Sequence, residues 1–162
     1  MEMAEEMPRY VALRRGINVG RRNRVAMADL RQLAARQIAG DLAVRPAVVV
    51  LSPDELAQVI ADNPVPGETI PSCLHAVIRR RAMSPEGIAA VAAAQQRARD
   101  KGSRDEAVVV GRVVFLRTPD GLGRGELAAQ LARPAAGTTD PAGTARNWAT
   151  VTRLLALLES AG

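Results

Sequence analysis

The chain of 162 residues has little of several things: one cysteine, one histidine, one lysine and three aromatic side chains. The single Cys73 excludes an internal disulfide framework, and the single His75 excludes a histidine-rich metal centre. With only Tyr10, Phe115 and Trp148 there is no aromatic platform of the kind that stacks RNA bases. No apolar run approaches the ~20 residues that span a bilayer as a helix. The opening residues, Met1 to Glu6, are acidic and lack the apolar stretch of a secretory signal. The expectation from these absences is a cytoplasmic protein with no cofactor, no structural metal and no membrane partner.

What is present is a globular composition, 48% apolar and 24% charged, with a mean hydropathy of −0.03. The length suits one domain or two very small ones. Lys and Arg total 22 against 17 Asp and Glu, for a net charge of +5. Lys101 is the one lysine, so the positive charge is almost entirely guanidinium. Arginine is a planar fork that grips phosphates and carboxylates in pairs, whereas lysine is a hydrated point charge. Two readings stand side by side: an anion-binding chain, or the codon usage of a GC-rich genome, which would also explain the alanine excess and the scarcity of Phe and Tyr. Clustering separates them, because a local field needs charges close together.

Along the chain, Arg9-Tyr-Val-Ala-Leu-Arg14 reads as a strand that breaks at Gly16-Ile-Asn-Val-Gly20. From Ala26 to Ile38 the apolar residues Leu30, Leu33, Ala34 and Ile38 fall at helical spacing. Val44 to Leu51 reads as a buried strand. Ser52-Pro53-Asp54-Glu55 then supplies a capping box and a proline suited to the first helical position. Pro64 to Pro71, with three prolines and a glycine, is the best linker candidate. Beyond it the spacing predicts a strand at Leu74–Ile78, a helix opened by Ser84-Pro85-Glu86, and a hairpin of Glu106–Val110 and Arg112–Arg117 joined at Gly111. A short helix at Glu126–Leu131, a short strand near Thr144–Arg146 and a terminal helix capped by Asn147 complete the series. From Leu74 onward this is the βαββαβ order of a ferredoxin-like unit with an added helix. The two Ser-Pro-acid helix starts, each after an apolar strand, hint at duplication.

The segment MPRYVALRRGINVGRRNRVAMADLRQL at residues 7–33 resembles the amino-terminal signature of the bacterial family called domain of unknown function 1697. The stretches at residues 115–127 and 144–158 are similar to its carboxyl-terminal signatures. The resemblance implies an α+β protein of two ferredoxin-like units, here with the first abbreviated, plus a C-terminal helix. The expected division is a flexible tail at 1–6, an abbreviated half at 7–66, and a fuller half with the terminal helix at 67–162. Family members carry a hairpin and a second helix before the strand matched to Val48–Leu51, whereas only residues 37–45 intervene here, which implies an internal deletion. The loss is expected to bare one edge of the first strand, open to pairing in a homodimer. The family's glycine pair after Asn18-Val19 is altered, since Arg21 follows Gly20, and Gly125 and Glu126 replace an expected hydroxyl residue and lysine. The resemblance supplies no established reaction.

The leading ligand-binding candidate is the loop carrying Arg14, Arg15, Gly16, Asn18, Gly20, Arg21, Arg22, Asn23 and Arg24. Five of its eleven residues are arginine, between a strand end and a helix start. Glycines expose backbone N–H groups and a helix start adds positive dipole, so an anion would be held there. The alternative is a solvated tight turn. A second candidate is the loop of Asp120, Gly121, Gly123, Arg124 and Gly125, whose glycine spacing is not that of a nucleotide fingerprint and which suits a turn equally well. Arg146 and Asn147 offer a fork and an amide beside Trp148, whose place on an apolar stripe favours core packing. Cys73 and His75 fall on one face of a strand, with no third group identified for a catalytic pair. Asp54-Glu55 and Asp105-Glu106 read as helix-start and turn acids, and Arg79-Arg80-Arg81 as a solvated strand end. The expected function is therefore non-catalytic binding of nucleic acid or a phosphorylated small molecule. Two others stay open: an enzyme with its site between the two glycine loops, using Asn18 and Asp120, and an interaction protein working through a strand edge.

Overall fold

The computed structural model describes residues 11–14, 48–132 and 143–160, and the helix expected at 26–38 lies outside them. The described elements are β1 (Val11–Arg14), β2 (Val48–Leu51), α1 (Pro53–Ala61), β3 (Leu74–Ile78), α2 (Pro85–Asp100), β4 (Glu106–Val110), β5 (Val113–Arg117), α3 (Glu126–Ala132), β6 (Thr144–Asn147) and α4 (Trp148–Ser160). Among the described residues the fold is mixed α+β, with two sheets and a C-terminal helix. β1 and β2 pair antiparallel, with Leu13 opposite Val49. The larger sheet has the order β4-β5-β3-β6, antiparallel at every junction.

Local sequence explains most boundaries. Ser52 caps α1 with a full capping box: its hydroxyl accepts the Glu55 N–H at 3.2 Å while the Glu55 carboxylate accepts the Ser52 N–H at 2.8 Å. α2 starts with the same Ser-Pro pair, and Ser84 accepts the Gly87 N–H at 3.1 Å. Gly87 has no side chain to return the bond, so this cap is half a box. Gly111, at φ 57°, turns the β4–β5 hairpin. Asn147 accepts the Thr150 N–H at 2.8 Å and so caps α4 as the sequence predicts.

Alternation along β3 and β5 divides the larger sheet into two faces. Ala76, Ile78, Val113 and Phe115 look one way, into a cluster with Val151 of α4, Leu56 and Val59 of α1, and Leu13, Val49 and Leu51 of the smaller sheet. Leu116 looks the other way, against Ala94 and Ala98 of α2 and Leu127 of α3. One core therefore joins residues from both sides of the proline-rich stretch. That stretch is itself fastened down: the Glu68 carboxylate accepts the Ile70 N–H at 3.0 Å and the Arg117 guanidinium at 2.8 Å. Glu68 is 8% exposed at its side chain. Its backbone bond to Ile70, then Arg117, holds its carboxyl below the ordinary range. A composition suited to a linker has become a strap tied to β5.

Candidate functional site

The register of β3 decides which predicted residues meet. His75 lies between Leu116 of β5 and Asn147 of β6. The chain leaving β5, which carries Asp120, Gly121, Gly123 and Arg124, and the end of β6, which carries Arg146 and Asn147, thus flank the start of β3 at one end of the sheet. The third predicted group, Arg15 to Arg24, lies outside the described residues. Its base is placed: Arg14 ends β1 opposite Val48, next to Leu13 in the core.

The loop after β5 is held by its own contacts. The Thr118 N–H donates to the Cys73 carbonyl at 2.7 Å. Gly121 takes φ 90°, a left-handed conformation that favours glycine. Asp120 forms a two-contact ion pair with Arg104, one at 3.2 Å, and the Arg104 hydrogen bond holds its carboxyl below the usual range. Lys101 pairs with Glu126 at 2.6 Å. Asp105, 2% exposed, accepts the Leu127 N–H at 3.3 Å and so caps α3 from a distant position in the chain. A Cβ at Gly125 would stand 2.6 Å from an Asp105 carboxylate oxygen, so glycine is required there for close packing. Gly123 meets nothing within 4 Å, and Arg124 is exposed.

On the other flank, Asn147 is committed to its cap. Arg146 donates to the Ala145 carbonyl at 2.7 Å, and burial pushes its pKa down. Trp148 is half-buried and packs on Phe115, with ring centroids 6.2 Å apart, against the core. The ring serves packing and not a stacking platform.

Between these flanks lies a group that sequence reasoning half finds. Cys73 closes a short 3-10 turn at Pro71–Cys73 and β3 begins only at Leu74, so the strand alternation expected to put Cys73 and His75 on one face does not reach Cys73. Thr118 stands across from Cys73, a partner 45 residues away that becomes visible only through strand register. Thr118 is fully buried and its hydroxyl has no hydrogen-bond partner. His75 is 7% exposed, its Nδ1 has no partner, and burial holds its pKa below the ordinary value. Cys73 is half-buried, and its thiol makes a weak contact with the Pro119 carbonyl at 3.9 Å.

Among the described residues, no three His, Cys, Asp or Glu side chains gather as a metal centre, and no helix is long and apolar enough to cross a membrane. No curated protein and no solved structure matches the chain. The family described as Protein of unknown function (DUF1697) matches residues 7–37, while the later stretches at 115–127 and 144–158 lie outside that match. Over residues 7–37 the chain is therefore similar to the DUF1697 family of unknown function, as a member with a truncated or internally deleted N-terminal region would be.

Proposed function

We propose that the chain is a non-catalytic binding protein that takes an anionic partner, nucleic acid or a phosphorylated small molecule, through the loop Arg14–Arg24. The observation that carries it is the density of guanidinium groups around Gly16 and Gly20, immediately after a strand whose Leu13 is anchored in the core. Five guanidinium groups within eleven residues of sequence concentrate the charge in one short stretch, and closeness of charges is the condition for a local field. In the second loop Asp120 is neutralised by Arg104, leaving Arg124 as the exposed charge that would extend the basic surface. The order β4-β5-β3-β6, antiparallel throughout, supports reading residues 67–162 as a ferredoxin-like unit. The β1–β2 pair with α1 is then what remains of an abbreviated one.

The test is binding of a labelled oligonucleotide across a salt series, with inorganic phosphate and a nucleotide as small-molecule competitors. Affinity is expected to fall as salt rises. Replacing Arg21, Arg22 and Arg24 by Ala should flatten the log–log slope by up to about 3, roughly one for each phosphate that the variant leaves without its guanidinium. Competition by the nucleotide at low concentration would assign the loop to a small phosphorylated ligand. Absence of binding, or an unchanged slope in the triple variant, would overturn the proposal.

A further inference from the structure

We propose that the chain forms a two-fold dimer by antiparallel pairing of β4 with β4 of a second copy, and that Gln95 occupies the open edge of that strand in the monomer.

Among the described residues β4 ends the four-stranded sheet, with β5 on one side and no strand on the other. Each residue of β4 matches one residue of β5, so the strand is regular and has no bulge. Monomeric proteins guard such edges with lysine, proline, bulges or covering elements. The run Glu-Ala-Val-Val-Val carries no lysine or proline, and Val108 is 39% exposed. In an antiparallel pair, successive residues turn their backbone groups alternately toward the partner strand and away from it. The Ala107 N–H donates to the Gln95 Oε1 at 2.6 Å, so Ala107, and with it Val109, faces the open side. A side-chain amide stands where the carbonyl of a neighbouring strand would.

A second copy suits this edge because the surfaces on both sides of it are self-complementary. With the two-fold axis at Val108, the middle of the strand, Ala107 pairs with Val109 of the second copy and Val109 with its Ala107. Each pair exchanges both of its backbone bonds. Val108 then meets its own counterpart on the Phe115 face, where the register places it. On the opposite face, the Met83 N–H reaches the Gly111 carbonyl at 3.1 Å, so α2 starts beside the hairpin turn and runs back along β4. The Gln95 contact fixes the stripe of α2 above the edge, which is Ile88, Ala92, Gln95 and Arg99. Ile88 is 46% exposed. About the same axis the two copies of α2 run antiparallel. The acidic first turn of one, with Glu86, comes opposite the basic last turn of the other, with Arg97 and Arg99. Opposite charges and opposed helix dipoles thus meet at both ends of the interface. Ala92, near the axis, lets the helices approach.

The experiment follows the mass of the full chain by light scattering and sedimentation across a concentration series, under reducing conditions that keep Cys73 out of covalent dimers. The mass is expected to move toward twice 17.2 kDa as concentration rises. Val108→Lys sets two ammonium groups across the axis and should weaken association by at least about 100-fold. Gln95→Ala frees the Ala107 N–H for the second copy and should tighten association roughly tenfold. Circular dichroism reports the fold of both variants. A single-chain mass for the wild type at every concentration up to about 100 μM overturns the proposal. So does a dimer that persists in folded Val108→Lys, or one that folded Gln95→Ala leaves unchanged, either of which places the contact elsewhere.

Discussion

The two faces of the four-stranded sheet are built differently. On the α4 face, Phe115 and Trp148 with the aliphatic side chains of β1, β2 and α1 fill the space between layers with bulk. On the α2 and α3 face, Ala94 and Ala98 bring a helix close to Leu116, and Leu127 fills the remaining gap. Buried His75, Thr118 and Asp105 accompany that second face, whereas Thr144, opposite Ile78, is the buried polar residue of the first. Bulky apolar packing fixes the arrangement of layers and leaves little room for polar groups. Buried polar atoms without partners remain on both faces, Thr144 Oγ1 on the first and His75 Nδ1 and Thr118 Oγ1 on the second. The faces therefore differ in how they are filled, by bulk on the first and by close approach of small residues on the second.

The largest effect should come from emptying the first face. Phe115→Ala is expected to cost about 3–5 kcal/mol and Leu116→Ala, on the second face, about 2–4 kcal/mol, measured by urea unfolding. A greater loss from Leu116→Ala would break the comparison. Next comes the buried cap of α3. Asp105→Ala removes the acceptor for Leu127 N–H and should cost about 1–2 kcal/mol. Gly125→Ala alone should also destabilise, because its Cβ would meet the Asp105 carboxylate. The double variant should lose clearly less than the sum, since Asp105→Ala removes the clashing atoms. Strict additivity would mean that the two residues do not form one unit.

The smallest effect sharpens the same contrast through pH. Burial holds His75 below its ordinary 6.5, so the unfolded chain binds a proton there that the folded chain does not. Stability from this group is complete above pH 6.5 and is lost as pH falls through the lower folded value. Glu55, Glu68 and Asp120, all held below their ordinary values, add a second decline below about 4.5. His75→Gln should remove the upper decline and leave the lower one. Melting temperatures across pH 4–8 would show it, and an unaltered upper limb in the variant would assign it elsewhere.

Much of the local structure is legible because its causes are local. The Ser52 box, the Asn147 cap, the Gly111 hairpin and the apolar stripe of α4 each depend on residues within a turn or two of one another. Pro64 to Pro71 reads as a linker candidate, and composition gives no sign of the distant Arg117 that fastens Glu68. The Asp120–Gly125 loop is ambiguous for the same reason: Arg104, which pairs with Asp120, and Asp105, which packs against Gly125, are 16 and 20 residues away.

By itself the sequence determined where most of the described strands and helices begin and end, since caps, turns and hydrophobic period act over a few bonds. It also determined the arginine density at residues 14–24 and the likeness to a family over 7–37. Only the tertiary structure decided that β3 lies between β5 and β6, and so that Thr118 stands across from Cys73. Strand pairing joins residues far apart in the chain, and no short-range preference specifies which distant backbone will satisfy a given N–H.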